Sequence, residues 1–422
     1  MEKLTVKNFL NIKDIEFNLS KINIIIGQQA SGKSIIAKLM YFSRNFFIQY
    51  RVSMQFHGQK KAEFDRSIIA NFKTIFSEYS WKNQEFDILY ENDQYHVHLS
   101  NKKISDGKQH KLSLEYSEYL VKIRRTILAE YKNKIVEYQE TGKPYTELIT
   151  EYDKDIFPRY FQQDIASITF IPAARSFFAD LQKNVFSFLS GKITIDYFLK
   201  EFGSVYEMVK NTYPSRKMFN EEYMNMIDNL INQIIVGNYV FEKGQDWIHT
   251  HDNRKINLSN SSSGQQEALP MVLVLGILPF VSQTHLFIIE EPEAHLFPTS
   301  QNHIVNLISL IFNIHGKKHD FFITTHSPYI LTAFNNLIQA GKTLKALREK
   351  PDQNDLLKDL FKIVPENQTL DINDVAAYTI KNGMIESLIN EENNLIDTNI
   401  IDEVSNEFSQ VFEKLIELEF GE

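Results

Sequence analysis

The 422-residue chain contains no cysteine. That excludes a disulfide-stapled scaffold, a thiol nucleophile and any cysteine-ligated zinc or iron–sulfur centre. No run of about 18 apolar residues is visible, and the N-terminal stretch MEKLTVKNFLNIKD lacks the apolar core of a signal peptide. The expectation is a soluble, cytoplasmic protein that does not engage a membrane. Internal repeats and long low-complexity linkers are also missing. At this length the chain can build two or three domains, each with a core that needs no covalent or metal staple.

An excess of basic residues is lacking too: 45 Lys and Arg stand against 54 Asp and Glu, a net charge of −9. The imbalance is local. Between Glu386 and Glu422 eleven acidic residues meet a single basic one, Lys414, so the remainder is close to neutral. An acidic tail on a near-neutral body leaves room for a basic patch, and nucleic acid stays open as a partner.

What is present begins with strands. LTVKNF and DIEFNL alternate apolar and polar residues as a hairpin would, and the β-branched run Ile22–Ile26 predicts a buried strand ending at Gly27. Helical spacing follows over Ser34–Phe47. FDILYE and YHVHLS flank Asn92-Asp93, a hairpin turn. Leu112–Gln139 reads as one long charged helix, and Ser167–Ile171 as a short strand stopped by Pro172. A mostly helical tract to about Ile235, two β-like runs and a serine-rich loop at 259–263 come next. Beyond Leu269 helix and buried strand alternate, which predicts a parallel sheet and an α/β class. The expected organisation is an N-terminal lobe over 1–110, a mainly helical insertion over 111–233 and a C-terminal lobe over 234–422.

Four elements carry chemistry. The run Gly27-Gln-Gln-Ala-Ser-Gly32-Lys33-Ser34 fits G-x-x-x-x-G-K-[ST] between a buried strand and a helix. There, successive backbone N–H groups and a helix N-terminus surround a phosphate, the lysine reaches the β- and γ-phosphates, and the hydroxyl ligates Mg²⁺. Gly27, Ala30, Ser31, Gly32, Lys33, Ser34 and Ile35 are the expected ATP contacts. The second element, LFIIEEPEAH, is an apolar strand ending in two carboxylates. Glu290 would hold Mg²⁺ through water, beside Ser34, and Glu291 would polarise the attacking water. Third, FFITTHSP ends a buried strand in His326, a candidate γ-phosphate sensor. Fourth, SSSGQQE, with Ser262, Ser263, Gly264 and Gln265, precedes an apolar helix; alone it reads as a helix cap with Glu267 in the first turn.

In this order the four elements resemble the ABC-type ATPase head. Ser262-Ser263-Gly264-Gln265 looks like its signature loop, Glu290-Glu291 its Walker B pair and His326 its switch histidine. EEPEAHLFP, TTHSPYIL, SSSGQQE and FIPAARS further resemble the OLD-like (overcoming lysogenisation defect) ATPases and their stand-alone relatives in bacterial anti-phage systems of the PARIS and Septu type. The resemblance covers roughly residues 1–45, 165–180 and 234–400. It implies a P-loop ABC-type head with an antiparallel β lobe and a helical insertion. It also implies ATP and Mg²⁺ as cofactors, and a homodimer or higher homo-oligomer in which the Ser262 loop completes the other protomer's site. The implied role is control of a separately encoded effector such as a nuclease; a DNA-repair or recombination ATPase that clamps DNA is the alternative.

The sequence departs from the pattern at three points. The usual L-S-G-G-Q is S-S-S-G-Q here, the metal-side Asp of Walker B is Glu290, and no Q-loop glutamine is evident beyond Gln162 and Gln163. Arg175 could meet phosphate or a partner, or lie solvated at a helix start. A built-in TOPRIM nuclease is not expected, because Asp371, Asp374 and the tail acids lack strands to hold a metal set. The tail reads as an amphipathic helix packed on the core, with Val404, Phe408, Val411, Phe412, Leu415 and Leu418 in one stripe. Lys122, Arg124, Arg125, Lys132 and Lys134 form a basic stretch that reads as an ordinary charged face rather than a DNA site.

Overall fold

Side chains in the first buried strand point alternately to two different interiors, and that division organises the molecule. The computed structural model describes residues 2–55, 59–104, 109–142, 144–161, 167–179, 181, 195–398, 411–412 and 414–415. In β3 (Ile22–Gly27), Ile22, Ile24 and Ile26 enter one core while Ile25 enters the other. Every one of these isoleucines is almost fully buried, as expected for a strand covered on both faces.

An 11-stranded sheet runs through the molecule. In chain order its strands are β1 (Glu2–Phe9), β2 (Ile12–Leu19), β3, β4 (Phe86–Glu91), β5 (His96–Lys103), β6 (His110–Tyr116) and β7 (Ser167–Ile171). After a separate three-stranded sheet of β8 (Asn238–Glu242), β9 (Gln245–His249) and β10 (Lys255–Asn257) come β11 (His285–Glu290), β12 (His319–Thr325), β13 (Val375–Lys381) and β14 (Met384–Ser387). The spatial order is β6-β5-β4-β1-β2-β14-β13-β3-β12-β11-β7. From β13 to β7 neighbours are parallel. The other half is antiparallel except where β14 meets β2. The result is a mixed α/β fold with a parallel half and an antiparallel half.

The first core holds the apolar helix Ser263–Val281 together with Pro298–Ile314, Pro328–Arg348 and Glu221–Ile235. Ser263–Val281 is long and apolar enough to cross a membrane, but most of it is buried by protein, as in a core helix. The second core lies under helices Lys33–Gln55, Lys61–Ile75 and Glu118–Thr141 and is dense in aromatic rings.

Several expectations need correction. Leu112–Tyr116 is not the start of a helix: it lies in β6, where HKLSLEY pairs antiparallel with β5, and the helix begins only at Glu118. Besides its helices, the 111–233 segment supplies β6 and the edge strand β7, and its last helices complete the first core. Arg124 is no part of a solvated basic face. It is buried over the Tyr50 and Phe64 rings and donates to Ser53 Oγ at 2.8 Å. In the tail, Val411, Phe412 and Leu415 are helical and more than half exposed, so these three do not pack on the core. Val404, Phe408 and Leu418 lie outside the described residues, as do Gln162 and Gln163.

Candidate active site

Parallel strands deliver their C-terminal ends to one edge of the sheet, where ligands bind in open α/β folds. Here β3, β12 and β11 lie side by side, so the loops after Gly27, Thr325 and Glu290 meet. The loop after β3 turns through residues that need unusual backbone. Gly32 has φ +111°, where a side chain would be strained and a Cβ would also sit 3.1 Å from Asn11 Oδ1. Ala30 takes a left-handed φ of +62°, and its carbonyl accepts from Asn11 Nδ2 at 2.6 Å. Gly27 has no spare room: a Cβ there would lie 3.0 Å from Ile380 O and from Ser31 Oγ. The helix then starts at Lys33, with Ser34 exposed at its first turn and Ile35 partly buried behind it.

Lys33 is 5% exposed and donates to the carbonyls of Gly27 at 2.7 Å and Gln28 at 2.8 Å. Burial pulls its pKa below the ordinary lysine value, against the opposing pull of Glu291, Glu293 and Glu290. Its third neighbour is His326 Nδ1 at 3.3 Å, while His326 Nε2 lies 3.2 Å from Glu291 Oε1. An ammonium can only donate, so Nδ1 accepts; Nε2 then carries the ring proton and donates to the carboxylate. Lys33, His326 and Glu291 therefore form one line with a fixed tautomer.

Glu291 sits at φ +45°, a strained position for a residue with a side chain. Its N–H donates to Thr324 O at 2.9 Å, which ties the turn after β11 to β12. Glu290 points differently. It is buried, its pKa is raised by desolvation, and hydrogen bonds from Ser34 and from Ala173 N at 3.4 Å only partly offset this. Glu290 Oε1 is buried and has no hydrogen-bond partner among the described residues. An orphaned carboxylate oxygen beside a serine hydroxyl fits a hard divalent cation, which takes oxygen ligands and favours the ionised acid. Glu290 and Ser34 thus suit Mg²⁺.

Sequence reasoning missed four participants. Glu293 Oε1 accepts from His326 N at 2.6 Å and so fixes the loop that carries the histidine; its place in EEPEAH was the available signal. Asn11 supports the phosphate loop from the β1–β2 turn, and nothing local marked it. Gln301 accepts from Ser327 Oγ at 2.6 Å and donates to Leu296 O at 2.9 Å, joining the two loops that follow β12 and β11. The fourth is Glu267, which does more than sit near the start of a capped helix. It is 2% exposed and accepts from the backbone N–H groups of Arg175 at 2.9 Å and Ser176 at 3.1 Å. Arg175 itself meets neither solvent nor an open phosphate position, since it is completely buried.

The structure does not bring Ser262–Gln265 onto the phosphate loop of the same chain: no hydrogen bond joins them among the described residues. Ser262 caps the helix Ser263–Val281 in a reciprocal box with Gln265, at 3.3 Å and 3.1 Å. Gln265 Nε2 also donates to Ile235 O at 2.7 Å. Gly264 lies so close to His295 O that a Cβ would be 2.7 Å from it. Ser262 itself remains exposed, beside Arg254, His251 and Asp252.

A phosphate-binding loop, a hydroxyl–carboxylate pair suited to Mg²⁺ and a second carboxylate oriented by a histidine define a P-loop ATPase domain. Residues 1–331 match the family described as AAA ATPase domain, and the chain belongs to that family. No curated protein matches it. Among solved structures, the chain is similar to the SMC head domain from Thermotoga maritima, at 14% identity and a TM-score of 0.36, over 91% of this chain and 97% of that one. It is also similar to an Smc head domain from Pyrococcus furiosus bound to the C-terminal domain of ScpA, at 15% identity and a TM-score of 0.37, over 96% and 100%. A third likeness is to the recombination mediator protein RecF of the RecFOR pathway, at 11% identity and a TM-score of 0.30, over 92% and 97%.

Proposed function

We propose that this chain is an ABC-type ATPase that binds ATP, closes with a second copy around two nucleotides, and hydrolyses them to ADP and phosphate. The observation that carries the reading is the line Lys33–His326–Glu291 beside the Ser34–Glu290 pair. Lys33 would exchange its loop carbonyls for β- and γ-phosphate oxygens, as the backbone amides of residues 30–34 surround the phosphates. Bound Mg²⁺ would neutralise phosphate charge, held by Ser34 and Glu290. Glu291 takes a proton from the attacking water as its oxygen bonds to the γ-phosphorus. The bond from phosphorus to the bridging oxygen breaks, and its electron pair leaves with ADP. His326 holds Glu291 in place through Nε2–H and stands next to the γ-phosphate position through Lys33.

The exposed cap at Ser262, with Ser263, Gly264 and Gln265, is the element assigned to the opposite protomer's nucleotide. EEPEAHLFP and TTHSPYIL support an OLD-like ATPase working in the cytoplasm beside a separately encoded effector, such as a nuclease, in anti-phage defence. The test is Glu291→Gln in the full chain: ATP-dependent dimers should accumulate on size exclusion while phosphate release stops. A Glu291→Gln protein that stays monomeric with ATP and hydrolyses it at the wild-type rate removes both halves of the proposal.

A further inference from the structure

A buried arginine normally finds a carboxylate pair or leaves the core, because the desolvation of a guanidinium is costly. Arg175 instead spends most of its donors on main chain. From the loop after β7, Nη1 donates to Pro172 O at 2.8 Å and to Glu290 O at 2.7 Å. Nη2 donates to Glu291 O at 2.9 Å, and Nε to Glu267 O at 2.9 Å. Among the described residues its one ion-pair partner is Glu267, at 3.6 Å from Nε, and burial still leaves its pKa below the ordinary arginine value. The planar fork therefore joins the peptide units of Glu290 and Glu291 to the first turns of the helix capped by Ser262. Gly264 packing on His295 O is a second, separate contact between the same helix and the turn after β11.

From this geometry we infer that Arg175 is a positioning residue that couples the Ser262 end of the helix to the backbone of the hydrolytic carboxylates. Glu291 holds a strained φ, and its carbonyl is gripped by Arg175 while its N–H is held by Thr324. A small shift of the Ser263–Val281 helix would thus be passed to the Glu291 peptide by hydrogen bonds rather than by loose packing. In the proposed dimer, nucleotide held against Ser262 of one copy would set the position of Glu291 in that same copy. The inference rests on the proposed hydrolysis by Glu291, but the backbone coupling has its own readout.

Two variants of the full chain test it. Arg175→Lys keeps a cation but cannot bridge two carbonyls, and Glu267→Gln keeps the side-chain shape while removing its charge and replacing one of the two accepting oxygens with an amide donor. Both should lower kcat about 10- to 100-fold, the usual effect of losing an outer hydrogen-bonding partner. The dissociation constant for a fluorescent ATP analogue should change less than about threefold, because Lys33 and the phosphate loop are untouched. Hydrogen exchange at the Glu291 amide should quicken in both. A variant with wild-type kcat, wild-type exchange at 289–292 and only a lower Tm would make Arg175 a structural residue and overturn the inference. Loss of nucleotide affinity in step with kcat would overturn it too. If Arg175→Lys fails to fold, Glu267→Gln carries both readouts. If the wild-type chain releases no phosphate, the hydrolytic reading falls, and exchange at Glu291 still decides the coupling.

Discussion

Strands β11 and β12 present titratable groups at both ends, and the two ends treat them in opposite ways. At the C-terminal ends, Glu290, Glu291 and His326 stand among partners of complementary charge or hydrogen-bonding sense. At the N-terminal ends, His285 and His319 face each other in register, both buried. His285 Nε2 has Thr169 Oγ1 at 2.9 Å, but neither ring nitrogen of His319 has a hydrogen-bond partner among the described residues. Burial and the neighbouring His319 push the pKa of His285 down to about 3. His319 falls to about 4 through burial, then His315 and Lys318. The same side chain is an oriented partner of a carboxylate at one end and a buried ring held uncharged at the other. Position along a strand decides which.

The largest effects are expected at the polar end. Glu291→Gln should reduce ATP turnover by about 10²- to 10⁴-fold, the cost of a lost general base, with nucleotide still bound. If Glu290→Gln stops chemistry and Glu291→Gln does not, the roles of the two carboxylates are exchanged. Lys33→Ala should cost about 10²- to 10³-fold in turnover, as for other preorganised charge-stabilising donors, without a change in circular dichroism. Turnover at the wild-type rate would remove the P-loop assignment.

The buried end predicts acid sensitivity. An unfolded chain protonates each histidine near pH 6.5, whereas the folded chain resists until about pH 4 at His319 and about pH 3 at His285. The unfolded state therefore binds more protons throughout that window. The contribution of this pair to stability is fully present above pH 6.5 and is lost as pH falls, by about 1.4 kcal/mol per pH unit for each histidine. Urea unfolding followed from pH 7 to pH 4 should show this slope; a flat profile would contradict it. His319→Phe should make the slope shallower while leaving ATP turnover near wild type, which separates the two ends directly. The smallest effect is expected at Asn11→Ala. Losing its hydrogen bond to Ala30 should weaken ATP binding by about 0.5–1.5 kcal/mol, read as a higher KM at nearly constant kcat.

The sequence carried the local part of this architecture. Ile22–Ile26 before Gly27, LFIIEE and FFITTH are short apolar runs with chemistry at their C-terminal ends, and each became a strand of the parallel half. The hairpin at Asn92-Asp93 formed as its turn residues require, with Asn92 Oδ1 accepting from Gln94 N and Tyr95 N. What stayed hidden depends on partners far along the chain. Arg175 looks like a solvated helix-start residue until carbonyls 115 and 116 positions away surround it. Leu112–Tyr116 precedes a charged helix and has apolar residues compatible with either period; only β5 decides that it is a strand. Glu267 and Arg124 show the same limit, since a charge in a helix reads as exposed unless its buried partner is known.

Strand β3, which carries the phosphate loop, ends at residue 27, yet its two sheet neighbours are β12 at 319–325 and β13 at 375–381. During synthesis the phosphate loop is therefore made first and finished last. At about 5–20 residues per second the ribosome needs on the order of 15–70 s to supply those neighbours. Throughout that interval Ile22–Ile26 is an unpaired, strongly apolar strand, the type of segment that pairs with other chains. The strand that carries the phosphate loop therefore gains its second sheet neighbour only after residue 381 has been made.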